Sequence, residues 1–332
     1  MTTQQKTNVS ENLLKPKQID IEVSSHCNLK CRFCPGLDST FMHMDVELFE
    51  SIIDRVNFKT TIVPWLNGEP LLHPEYPRML QAIEKKNLRY YITTNGMIWR
   101  DDVFDIILDQ KSSCYQLIIS LDGMLNSRSI ELARPGTKVN RVWETIKTVL
   151  KRKPQNLDLA VKICRRGQDY EEIEQYISFW LEHGVDYVCV GDALIEEENP
   201  VGFRSNPCQY SDNNFMVIKV DGRLVRCAYN DLATNDEQYS FGVMDKTTPL
   251  LEIYNNDFYT RFREDQNSGI YPGPCDTCGI SYTGHGMSGS IKFRNPHLIQ
   301  DTIYYQRDYY NSFFSLKEKR KSPEYYMHGG QM

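Results

Sequence analysis

Between Gln18 and Gly191 the chain alternates strand-like and helix-like stretches, and this alternation restricts its fold more than any other feature. "QIDIEV" (18–23) alternates polar and apolar residues, the period of a strand. "MDVELFESIIDRV" then places Val46, Phe49, Ile53 and Val56 on one helical stripe, with Asp45 positioned to cap it. "TTIVPWL" and "YPRMLQAIEKK" repeat the pair, and so do "LRYYITTNG" and "DDVFDIILDQ". "YQLIISLDG" predicts a fourth strand, followed by a helix over 139–152, and "LDLAVKICRRG" a fifth. "DYEEIEQYISFWLEHG" reads as a helix with an Asp169–Glu172 capping box and a Gly184 stop, and "VDYVCVGD" as the sixth strand.

Strict alternation implies a parallel sheet with right-handed crossovers. Six strands fall short of a closed eight-fold barrel, so an α/β fold with a partial (β/α)6 barrel is expected. Chemistry in such folds collects at the C-terminal ends of the strands. Four polar or Gly-rich stretches fall there: Ser24 to Cys34, Asn67-Gly68-Glu69-Pro70, Thr94-Asn95-Gly96 and Ser120-Leu121-Asp122-Gly123.

Near Pro200 the pattern changes. "NNFMVIKVDGRLVRC" reads as two strands joined at Asp221-Gly222, a strong hairpin signal. "PLLEIYNNDFYTRFRE" reads as one helix, and "PCDTC" follows. The expected division is an N-terminal segment (1–17), the partial barrel (18–200), a small α+β module (201–285) and a Tyr-rich C-terminal extension (286–332).

The net charge of -6 excludes the basic surface of a general nucleic-acid binder. No apolar run reaches the roughly 18 residues that a membrane span needs. "MTTQQKTNVSENLLKPKQ" is polar, so no secretory signal is read there and a cytoplasmic protein is expected. Ten cysteines would suit a disulfide framework only in a short secreted chain. Seven of these ten fall in close groups, 27/31/34, 208/227 and 275/278, which in a cytosolic protein points to metal.

A zinc site wants four ligands, commonly as two CxxC pairs. Cys27-x3-Cys31-x2-Cys34 offers three, with no fourth nearby. Three thiolates on a four-iron cubane leave one iron open to a substrate or cofactor, which a four-cysteine cluster cannot do.

CxxxCxΦC, with Phe33 as the aromatic, resembles the signature of the radical S-adenosylmethionine (SAM) enzymes. The resemblance implies a [4Fe-4S] cluster whose open iron is chelated by SAM, and reductive cleavage of SAM to a 5′-deoxyadenosyl radical that abstracts hydrogen from substrate. Gly68-Glu69-Pro70 resembles the family's GGEP motif for the SAM amino group, with Asn67 replacing the first glycine. Thr94, Asn95, Ser120 and Asp122 hold positions where relatives bind the ribose and carboxylate, and Arg134 resembles the arginine that pairs with the SAM carboxylate.

Cys208, Gly222, Cys227, Cys275 and Cys278 resemble the SPASM and Twitch modules of the same family, which carry auxiliary iron–sulfur clusters. Four cysteines suffice for one closed [4Fe-4S] cluster of the Twitch type, and a zinc ribbon is the competing reading. Flavodoxin or ferredoxin is implied as electron donor.

Three cysteines remain, Cys114, Cys164 and Cys189, and buried packing is their ordinary role. Cys164 shares a strand face with Asp158, Ala160 and Lys162, the expected cavity side, where a thiol could return a hydrogen atom to a substrate radical. Asp192 is a second catalytic candidate, as a base, and Asp20 and Glu22 could do the same. His26 and His43 read as structural.

The resemblance leaves two substrate classes. Many SPASM and Twitch relatives modify ribosomally made peptides by cross-linking, epimerisation, oxidation or backbone excision. Others oxidise a sugar or aminocyclitol alcohol, as the Twitch dehydrogenase of butirosin assembly does. "IYYQRDYYNSFF" (303–314) suits a recognition surface and favours a peptide. Only 17 residues precede the first strand, so a leader-peptide-binding function is expected on a separate protein.

Overall fold

The computed structural model describes residues 13–31, 33–34, 41–125, 130, 133–165, 170–192, 215–227, 240–271, 275 and 291–293. Six strands run parallel in the order of the chain: β1 (Gln18–Ile21), β2 (Thr61–Val63), β3 (Arg89–Thr94), β4 (Cys114–Ser120), β5 (Asp158–Arg165) and β6 (Tyr187–Asp192). Between them lie α1 (Val46–Asp54), α2 (Tyr76–Lys85), α3 (Asp101–Ile107), α4 (Val139–Arg152) and α5 (Tyr170–Glu182). β1 does not close onto β6, so the barrel is partial, as the six repeats imply.

Each strand has an outer face against the helices. Ile19 and Ile21 on β1 with Val23 just beyond it, Tyr90 and Ile92 on β3, and Leu159, Val161 and Ile163 on β5 join one core with Phe49, Phe104 and Trp180. Burying a side chain such as Phe49 stabilises the fold by about 1.5–3 kcal/mol relative to exposing it. The alternate residues face inward. Tyr91, Ile118, Ala160, Tyr187 and Cys189 pack together as an apolar floor inside the barrel.

Local signals act where the sequence places them. The Asp45 carboxylate accepts from Leu48 N at 2.8 Å and caps α1. Gly184 ends α5 at φ +90°, a conformation that a Cβ would strain.

The second part continues the same sheet. β7 (Phe215–Ile218) lies parallel beside β1, and β8 (Arg223–Val225) and β9 (Ser240–Val243) follow antiparallel. Gly222, at φ +85°, makes the β7–β8 turn. Leu66, Phe215, Val217 and Val225 form a small core that joins the hairpin to the loop after β2. A buried ion pair adds to it: Lys219 Nζ lies 3.0 Å from Glu22 Oε2.

Where one helix was expected there are two, α6 (Leu250–Tyr254) and α7 (Asp257–Asn267). Asn256 causes the break. Its backbone is extended, and its side chain accepts from Tyr259 N at 2.9 Å, so it starts a helix rather than continuing one. β10 (Ile291–Phe293) pairs antiparallel with β6, Ile291 opposite Val190. The boundaries expected at 200 and 285 lie outside the described residues.

Candidate active site and cluster cysteines

The loops after β1, β2, β3 and β4 meet on one rim. Gly68 is where the first two touch. A Cβ there would lie 2.1 Å from Ser24 O and 2.7 Å from His26 O, so only glycine permits the approach. Glu69 N then donates to His26 O at 2.8 Å. The Glu69 carboxylate accepts from Thr94 Oγ1 at 2.8 Å, Asn95 N at 2.8 Å and Leu71 N at 3.2 Å. Asn95 Nδ2 continues the network to Asn28 Oδ1 at 2.8 Å and to Cys27 Sγ at 3.9 Å. Burial pushes Glu69 up to about 7, against the pull of its three donors. Among the described residues no lysine or arginine is ion-paired with it.

Cys27, Cys31 and Cys34 occupy one loop as free thiols. Cys34 N donates to Cys31 O at 3.0 Å, which turns the loop so that the three sulfurs influence one another. Burial pushes the Cys27 thiol up to about 12 and raises Cys31 also. Thiolates there would need a strong positive charge, such as a bound metal, to displace the proton. Among the described residues no three Cys, His, Asp or Glu side chains gather tightly enough for a single ion. One zinc ion would draw its thiolates to within about 4 Å of each other. A cubane accepts a looser trio.

Asp122 and Arg134 form a second buried unit. The Arg134 guanidinium pairs with Asp122, donates from Nη1 to Cys31 Sγ at 3.5 Å and lies over the Phe33 ring at 5.1 Å. Burial alone would lower Arg134, but the Asp122 charge prevails and holds it well above its ordinary value. Cys164 N donates to Asp122 Oδ1 at 2.6 Å, so the fifth strand also reaches this unit. Ser120 is buried at the end of β4. Arg134 and Asp122, both expected at SAM, thus pair with each other on this rim.

The rim also presents unsatisfied groups. Asn67 Oδ1, Trp65 Nε1 and Thr93 Oγ1 are buried with no hydrogen-bond partner among the described residues. Trp65 packs edge-on to Tyr91 at 6.0 Å, which puts its indole on the same inner wall as Thr93. These open polar atoms, and an acid with no ion pair among the described residues, fit a polar, cationic ligand such as the methionine end of SAM.

A family model described as the radical SAM superfamily matches residues 21–179. A second, the SPASM iron-sulfur cluster-binding domain, matches 208–279, and the two cover more than half of the chain. The chain belongs to the radical SAM superfamily. It is an enzyme of that family whose cofactors are [4Fe-4S] clusters and SAM. It is 22% identical over 317 residues to the tungsten-containing aldehyde ferredoxin oxidoreductase cofactor-modifying protein of Pyrococcus furiosus, covering 80% of this chain and 87% of that one. Streptococcus suis SuiB shares the fold at a TM-score of 0.62 and 17% identity, over 83% of this chain and 73% of SuiB. The structure of anSMEcpe with bound SAM and a peptide superposes at 0.58 and 16% identity, over 92% of this chain and 100% of that one.

In the SPASM region, Cys227 follows β8 and packs against the small core of Leu66, Phe215, Val217 and Val225. Cys275 lies beyond α7 and receives Arg226 Nη1 at 3.8 Å. Cys208 and Cys278 lie outside the described residues.

The remaining candidates divide. Glu22 is committed to Lys219. Asp20 lies within the barrel, accepts from Gln18 Nε2 at 2.6 Å and is pushed up to about 7 by burial. Asp192 closes β6 opposite Arg165. Cys114 and Cys189 are buried, as packing residues should be. His43 stacks edge-on to His73, whose Nε2 lies 2.8 Å from Met44 O and steadies the return of the cluster loop. His73 and Arg226 were not singled out from sequence. Neither has a motif, and their partners lie 29 and 49 residues away.

Proposed function

We propose that Cys27, Cys31 and Cys34 hold the SAM-binding cluster and that the rim around Glu69 holds SAM. The observation that carries this is Glu69: a buried carboxylate beside the cysteine loop, fixed by three donors and with no ion-paired lysine or arginine among the described residues. Glu69 takes the ammonium, Asn67 Oδ1 adds an acceptor, and Thr94 and Asn95 hold the acid in place. Phe33 borders the same space, Ser120 and Asp122 face the ribose and carboxylate, and Arg134 pairs with the SAM carboxylate while also donating to Cys31. The bound cofactors supply a hydrogen-abstracting radical. Cys208, Cys227, Cys275 and Cys278 hold one auxiliary [4Fe-4S] cluster. The division at 18–200, 201–285 and 286–332 follows from this reading.

Radical SAM enzymes need an electron donor, and flavodoxin or ferredoxin in the cytoplasm fits that need. The substrate we propose is a ribosomally made peptide, read by a separate leader-binding protein. Support comes from β10: the chain beyond Cys278 returns to border the barrel at β6. That edge is now occupied, so a peptide would enter from the rim. The packed cluster of Tyr91, Ile118, Ala160, Tyr187 and Cys189 favours the second reading, oxidation of a small alcohol, because it fills part of the barrel interior that an extended peptide would need. Incubation of the reduced protein with SAM and either precursor peptides or aminocyclitols tests both. A mass change in one class assigns it, and no change in peptides with turnover of an alcohol reverses the preference.

A further inference from the structure

Arg226 directly follows β8 and is buried, at 9% exposure. Its guanidinium lies over the Phe262 ring of α7, 5.5 Å from the centroid, and Nη1 donates to Cys275 Sγ at 3.8 Å. Three separate pieces of chain therefore build this contact: the hairpin, the helix and the segment after it. A neutral thiol is a weak acceptor, whereas a cluster-bound thiolate accepts strongly from a guanidinium N–H.

We propose that Arg226 raises the reduction potential of the auxiliary cluster by donating to the Cys275 sulfur. The inference rests on the reading that Cys275 ligates that cluster. Reduction adds one electron and one negative charge to the cluster. No bond forms or breaks at Arg226, which stays protonated throughout. Net charge and hydrogen bonds to sulfur are what set such potentials, and a buried cation with an N–H on the thiolate favours the reduced form on both counts. A raised potential suits a cluster that accepts an electron from substrate.

The test is an EPR-monitored redox titration of the reconstituted full chain against Arg226→Gln and Arg226→Lys, with dithionite as reductant and iron assayed in each. The auxiliary signal is the one that SAM does not alter. In Arg226→Gln, with iron retained, its reduction equilibrium should fall about tenfold, a shift of about 59 mV to more negative potential for a one-electron couple. The SAM-sensitive signal should not move. Lysine keeps the charge but loses the planar fork, so Arg226→Lys should shift in the same direction by less. An unmoved auxiliary potential in a fully loaded Gln variant overturns the proposal. If the Gln variant loses iron, an unmoved potential in a loaded Lys variant does so. A native chain that saturates near four irons would sink the auxiliary-cluster reading itself, before any variant is made.

Discussion

Asn95 N donates to Glu69 Oε2 at 2.8 Å, and this bond locks the end of the third strand to the end of the second. The acid it holds is the one proposed to bind the SAM ammonium. Glu69→Gln removes the charge and presents an NH2 toward donors. Hydrogen bonds to charged groups contribute about 1.5–3 kcal/mol, so SAM should bind roughly 10- to 100-fold more weakly. Equilibrium binding of SAM to the reconstituted variant measures this, and unchanged affinity would place the ammonium elsewhere.

Gly68→Ala should damage the same rim by a different route. Its methyl would sit 2.1 Å from Ser24 O, so the β1 or β2 loop must move. Overpacking of this kind costs about 1–3 kcal/mol. The expected result is weaker SAM binding together with a thermal midpoint lowered by a few degrees. Native-like SAM affinity would show that the two loops do not need their close approach.

Lys219 and Glu22 join barrel and hairpin, with side chains 4% and 2% exposed. Lys219→Met strands a buried carboxylate and should destabilise the fold by about 3–5 kcal/mol. Adding Glu22→Gln should recover much of that loss. Denaturant midpoints of the single and double variants decide the point, and a harmless single variant would contradict the pair's bridging role.

Asp20 gives a pH dependence with a defined sign. Burial raises it from 3.8 to about 7, so the folded chain keeps a proton that the unfolded chain releases near 3.8. The stability this contributes is full below about 4 and is lost as pH rises through about 7. Asp20→Asn should be insensitive over that window and more stable than the native chain at pH 8, by at most about 4 kcal/mol. Urea midpoints at pH 5 and pH 8 report it. Parallel behaviour of the two proteins would mean that Asp20 is not held neutral.

Much of the barrel was legible because its signals are local. Val46, Phe49 and Ile53 share a stripe within one helix, and Cys27, Cys31 and Cys34 share one loop. Rim stretches could be ordered in advance because a parallel sheet puts every strand's C-terminal end on one side. The break at Asn256 was hidden, since apolar residues on both sides keep a helical period through it. Contacts over long separations left no trace either. Glu22 meets Lys219 across 197 residues, and nothing near either residue signals the other. The pairing of Arg134 with Asp122 was missed for a related reason: a motif names the residues at a rim, not which of them already hold each other.

The central claim is that the three-cysteine loop, with Glu69 beside it, makes this chain a SAM-cleaving enzyme. The most direct measurement is 5′-deoxyadenosine formed by the reduced, reconstituted protein and by a variant with Cys27, Cys31 and Cys34 all changed to Ala. The account predicts 5′-deoxyadenosine from the native chain and none from the variant, while the variant keeps about four of about eight irons, the content of two four-iron clusters. Cleavage that survives the triple change would contradict it.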